Sequence, residues 1–195
     1  MPTTATNPST KPPLRTGKIY HMGLSPPLGA DPQEVRALLF PLRNDFTIAL
    51  YAADNAFAVG AIIRVAHSFL AREIVIIGDA PYYEKASMGM EKYESVVRVA
   101  DDDAFLDHVG ARPLWAVEKD HATINIHAVT TFPRDVVLLF GSERFGIPEP
   151  LVRRAQAVVG IPIYGVNHSL PLAVAAGIVM NEWARRRYAD GVTVP

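Results

Sequence analysis

The chain contains no cysteine. That excludes a disulfide framework, a thiolate zinc site, an iron–sulfur cluster and a cysteine nucleophile. His67 and His121 have no partners at metal-ligand spacing, so no metal site is expected. No apolar run approaches the roughly 20 residues needed to cross a bilayer, and no membrane association is expected. The opening residues, MPTTATNPSTKPPLRTGK, lack the apolar stretch of a secretory signal, which makes a cytoplasmic location the default expectation. Charge of one sign is also lacking. Nineteen Lys and Arg face 20 Asp and Glu, for a formal net charge of −1. This argues against a histone-like, tail-driven nucleic-acid binder and leaves only local basic patches open. Two chemistry-bearing patterns are missing as well. There is no G-x-G-x-x-G dinucleotide fingerprint and no G-x-S-x-G nucleophile elbow. His168 stands beside Ser169 with no third group evident for a Ser-His-Asp set.

What is present fits an ordinary soluble domain. The chain has 195 residues, 49% apolar and 20% charged, enough to bury a core without staples. Proline is uneven: eight of the 16 fall in residues 1–41. Residues 1–45 therefore read as a proline-rich, partly disordered N-terminal extension with one short helix at 32–40. From residue 46 the pattern changes. Buried-strand runs are expected at 46–52, 73–78, 94–99, 113–117, 135–140 and 158–163. Helical spacing covers 59–71, 101–109, 149–157 and 170–188. Strands alternate with helices, which predicts an α/β domain over 46–190, its mostly parallel sheet covered by helices on both faces. Ligands of such sheets sit beyond the carboxyl ends of the strands. Residues 54–60, 117–120, 141–146 and 163–169 occupy those ends.

Three constellations fall there. The first, DNAFAVGAIIR, runs from Asp54 to Arg64. A glycine in a helix opening, followed one turn later by Arg64, suits an anion; Arg64 can also simply pair with Asp54. The second, GSERFGIP, runs from Gly141 to Pro148 directly after the strongest strand. Its glycines let backbone groups touch a flat ligand. Glu143 there also reads as a helix cap. The third spans Ile161 to Ile178, with Ser169 as a candidate N-cap and small residues Ala173, Ala175, Ala176 and Gly177 behind it. It runs on to Arg185, Arg186 and Arg187. With Lys85, Lys92, Arg98, Arg153 and Arg154, these line either a phosphate path or a solvated surface.

In order and spacing the three together resemble the signatures of the SpoU/TrmH family of RNA ribose 2′-O-methyltransferases, in the SPOUT superfamily. The resemblance covers residues 46–188. It rests on Gly60 and Arg64, then Gly141, Glu143 and Gly146, then Ile161-Pro162, Ser169-Leu170 and the Ala-rich helix. It implies a C-terminal deep trefoil knot, which general chain rules would not predict. It implies S-adenosylmethionine as cofactor, held by Val117, Gly141, Ser142, Gly146, Ile161, Ile163, Ser169 and Leu170. It further implies catalytic parts for Arg64, Glu143 and Ser169, an RNA substrate (tRNA or rRNA) and a homodimer through the C-terminal helix. A guanidinium is no proton acceptor, so an electrostatic role suits Arg64. Two positions depart from the family pattern: Ala58 and Pro171 stand where asparagine is usual. The competing readings are a non-catalytic RNA-binding relative and an unrelated α/β protein that binds a nucleotide or phosphorylated metabolite.

Overall fold

The computed structural model describes residues 29–51 and 55–188. Most of the expected N-terminal extension lies outside them. The described residues from Pro32 onward form one compact unit. The unit reaches back past the expected boundary at 46, because helix α1 (Pro32–Leu39) buries Val35 and Leu39, four apart on one face. Arg36 donates to the Lys92 carbonyl (2.6 Å). Arg43 holds the fully buried Glu94 carboxylate at 2.6 Å, and His67 Nδ1 lies 2.8 Å from its other oxygen. His67 is thus engaged in closing the structure. Among the described residues no cluster of metal-ligating side chains occurs, and no helix is long and apolar enough to cross a membrane.

Among the described residues seven strands form one sheet: β1 (Thr47–Tyr51), β2 (Glu73–Ile77), β3 (Val96–Val99), β4 (Leu114–Val117), β5 (Ile124–Asn125), β6 (Val137–Phe140) and β7 (Ala157–Gly160). Their spatial order is β3-β2-β1-β6-β4-β7-β5, and every pair is parallel. The core lies on both faces, as near-continuous apolar strands require. Ile48, Leu50, Leu138 and Phe140 point to one side. There α2 (Ala56–Ser68) brings Val59, Ile62, Ile63 and Ala66, and α6 (Leu172–Tyr188) brings Ala176, Val179, Met180 and Trp183. Trp183 lies against Phe46 with ring centroids 4.4 Å apart. Ala49, Val75, Val137 and Leu139 point to the other side, covered by α4 (Asp102–Val109) and α5 (Glu149–Arg154). The remaining helix, α3 (Glu84–Ser87), is a single turn lying on α2.

The structure shortens two expected elements. Helix α5 stops at Arg154, and β7 stops at Gly160 rather than 163. Pro162 has no N–H for a ladder, so the chain leaves the sheet just before it. The arginines are mostly occupied. Arg185 and Arg186 surround Glu182, Arg186 also donates to the His127 carbonyl (2.7 Å), and Arg98 donates to the Ala80 carbonyl (2.7 Å). Arg153 pairs with Glu149 (3.2 Å). Each of these four has a partner within the chain.

At the start of β2, Glu73 bonds Arg112 (2.7 Å), His108 (3.2 Å) and Thr47 (3.3 Å). Burial pushes its carboxyl up, but the hydrogen bonds and charges of Arg112 and His108 outweigh that, and the net shift is downward. A carboxylate depressed in the folded state adds stability above its unfolded pKa, and that stability is lost as pH falls through the folded value. Glu73→Gln is therefore expected to lower Tm at neutral pH, with the gap to the parent narrowing as pH drops below about 4. A gap that stays constant in melts from pH 7 to pH 3 would refute this.

Candidate active site

Beyond the carboxyl ends of β4, β6 and β7 opens a cleft of about 340 Å³, within the range of small-molecule sites. Its floor is Val117, Phe140 and Val159, the last residues of their strands or next to last. One wall is the turn after β6. Ser142 and Gly146 exchange backbone hydrogen bonds (3.2 and 3.0 Å), and Phe145 N–H donates to Ser142 Oγ (2.9 Å). Gly146 has φ +66°, a left-handed backbone that favours glycine. A Cβ there would also stand 2.7 Å from Glu118 Oε2. Gly141 has no room for a side chain, since a Cβ would overlap the backbone of Gly146 and Ile147. The opposite wall comes from Ile161, Ile163, Ser169, Leu170 and the start of α6.

Glu143 ties the two walls together. Its Oε1 accepts the N–H of Leu172 (3.1 Å), the first residue of α6. That satisfies one of the helix's orphan donors and places a negative charge at the positive end of its dipole. The expected N-cap, Ser169, stands short of the helix. The first turn instead closes on the Pro171 carbonyl, which accepts from Val174 and Ala175 (2.9 and 3.0 Å). Ser169 is an exposed residue of the cleft rim.

Nine residues singled out in the sequence meet in this cleft: Val117, Gly141, Ser142, Glu143, Gly146, Ile161, Ile163, Ser169 and Leu170. Arg64 does not line it. The helix carrying Arg64 begins at Ala56, capped by Asn55, whose Oδ1 accepts from Phe57 and Ala58 (3.1 and 3.2 Å). Gly60 therefore sits in the second turn and does not open the helix. The expected anion-binding role for it is corrected: a Cβ on Gly60 would overlap the Tyr83 carbonyl oxygen, so this glycine lets a neighbouring backbone in. Arg64 lies further along, exposed, on the same stripe as Phe57 seven residues earlier.

Several lining residues were outside the expected set. Glu118 Oε1 accepts from Lys119 N–H (2.8 Å), Lys119 pairs with Asp120 (2.6 Å), and His121 lies 3.7 Å from Glu149. Their position after β4 was the available signal. Arg144, its guanidinium 5.0 Å over the Phe145 ring, borders the same cleft.

The sequence profile of the SpoU rRNA Methylase family matches residues 45–181, from just before β1 to the middle of α6. The chain belongs to that family. Its relatives include a tRNA (guanosine(18)-2′-O)-methyltransferase of Thermus thermophilus, 31% identical over 171 residues, covering 82% of this chain and 84% of that one. A TrmH-family protein of Bacillus subtilis is 27% identical over 151 residues, covering 75% of this chain. Among solved structures, an AdoMet-bound rRNA methyltransferase of Sinorhizobium meliloti aligns with a TM-score of 0.68 at 29% identity, over 79% of this chain. The chain spans 61% of the Bacillus protein and 60% of the Sinorhizobium chain. The family assignment agrees with the parallel α/β sheet.

Proposed function

We propose that this chain is an S-adenosylmethionine-dependent RNA methyltransferase that modifies a ribose 2′-OH of tRNA or rRNA and works as a homodimer. The observation that carries the reading is the convergence on one cleft of Val117 and of residues from the second and third motifs. The cleft's residues fit the cofactor. Val117, Phe140, Ile161, Ile163 and Leu170 provide apolar walls, the glycine turn provides backbone groups at close range, and Glu118 and Glu143 face a ligand that carries sulfonium and ammonium charges. Bound there, the cofactor would supply an electrophilic methyl group for a ribose 2′-oxygen, with the sulfur–methyl bond breaking to leave the neutral thioether and the hydroxyl proton passing to solvent. Glu143 holds the turn and the helix start in one geometry. Arg64 holds the phosphate beside the reactive ribose and stabilises the negative charge developing on oxygen.

Arg64 is exposed and lies outside its own chain's cleft lining, and α6 leaves Val174, Gly177, Ile178 and Asn181 on an outer face, with open space at Gly177. Both features support a second copy seated on α6, with Arg64 completing the partner's site. The insertion of β6 between β1 and β4, and the return of α6 against α2, support a knotted C-terminal path. The second reading is an RNA-binding relative without turnover. It is favoured by Ala58, which is only 5% exposed and offers no amide, and by Pro171.

Methyl-labelled S-adenosylmethionine, incubated with the protein and RNA lacking its own modifications, is expected to place label in a 2′-O-methyl nucleoside after digestion. Label in a base overturns the ribose assignment. Cofactor binding with no label from either tRNA or rRNA pools favours the second reading.

A further inference from the structure

Beside the cofactor cleft lies a second hollow of about 700 Å³, lined by Asn55, Phe57, Tyr83, Glu143, Arg144 and Leu172. Glu143, Arg144 and Leu172 line both, so the two spaces adjoin at the Glu143 cap. Two large rings stand open to solvent in it. Phe57 is 62% exposed and Tyr83 is 46% exposed, their centroids 6.5 Å apart at 33°. Nothing in the core needs these rings where they are, yet the backbone fixes them. Tyr83 N–H donates to the Ala56 carbonyl (2.8 Å), one residue before Phe57. Gly60, having no side chain, lets the Tyr83 carbonyl press against α2. The motif glycine thus positions an aromatic ring contributed by a different segment.

We propose that Phe57 and Tyr83 form a stacking platform for an unpaired base of the RNA, with Arg144 at its edge facing the adjoining phosphate. The proposal deepens the reading above and rests on it for the class of ligand. Unstacked bases are recognised by aromatic faces, and stacking tolerates any base because each has a π-face. The lining shared with the cleft places a stacked nucleotide next to the site of transfer. A protein partner is the competing occupant, and the test separates the two.

The full-length protein is titrated with a ten-residue oligoadenylate RNA and with the same ribose-phosphate chain made abasic, so that charge is constant and only the bases differ. Cofactor affinity and sedimentation are measured on each variant. The double variant Phe57→Ala/Tyr83→Ala is expected to lose roughly tenfold or more in affinity for oligoadenylate. Its affinity for the abasic chain and for S-adenosylmethionine is expected to stay within about twofold, and Phe57→Trp/Tyr83→Phe restores the parent's preference. Equal losses on both chains, or no loss on either, overturn the platform. A change in sedimentation with base preference intact assigns the rings to a protein contact and overturns it too. The methyl-transfer reading fails separately, through absence of label from the parent protein, and base-dependent binding is read without turnover.

Discussion

Alanine at position 141 is expected to weaken S-adenosylmethionine binding at least a hundredfold in calorimetry, with methyl transfer falling accordingly. The methyl group it adds has nowhere to go, because the atoms in its way are backbone of Gly146 and Ile147 and cannot rotate aside. They belong to the same turn, closed by the Ser142–Gly146 pair and the Phe145–Ser142 bond. Making room means opening that turn. Three hydrogen bonds at about 1 kcal/mol each amount to roughly two orders of magnitude in affinity if binding must re-form them. The sheet behind is fully packed on both faces, so circular dichroism is expected to show a folded protein. A Gly141→Ala variant that binds cofactor like the parent would show that the turn is not the cofactor's wall.

Replacing Arg64 by alanine is expected to have the opposite profile. Cofactor affinity stays within about twofold, since Arg64 lines no part of the cleft, while kcat falls by about 10²–10³-fold, the usual loss when one preorganised donor is removed from a developing oxyanion. Lysine restores little, because a point charge does not reproduce a bidentate guanidinium. Mixing the two inactive variants decides where Arg64 acts. If it works across the dimer, a chain with Arg64→Ala and a sound cleft receives the arginine of a Gly141→Ala partner, and activity partly returns. If it works within its own chain, every site in the mixture lacks one part and no activity returns.

Much of this was legible in the sequence. β6 reads as a strand because all four of its residues are buried between two neighbours, and its run of apolar residues has no other use. The cleft residues could be named because the motifs carrying them resemble the SpoU/TrmH signatures, and the strand ends at Val117 and Phe140 point to the same region. The rest depended on contacts that spacing does not encode. β5 has two residues and α3 four, too few to show a period. Tyr83 is 26 residues from Phe57, and the Ala56–Tyr83 bond and the close approach at Gly60 bring them together. Gly60 was legible as a special position but not as the reason for it, because its constraint comes from a neighbouring backbone. Glu143 shows the same limit: its partner at Leu172 lies 29 positions on.

That bond has a thermodynamic consequence. The carboxylate that ends one cleft wall also begins α6, the helix proposed to join two copies. A small molecule that orders the 141–146 turn therefore also orders the helix start. By reciprocity, whatever free energy the small molecule gains from a paired α6 it returns as tighter pairing of the chains. If two copies pair through α6 as proposed, the abundance of the methyl donor sets how much of the protein is assembled.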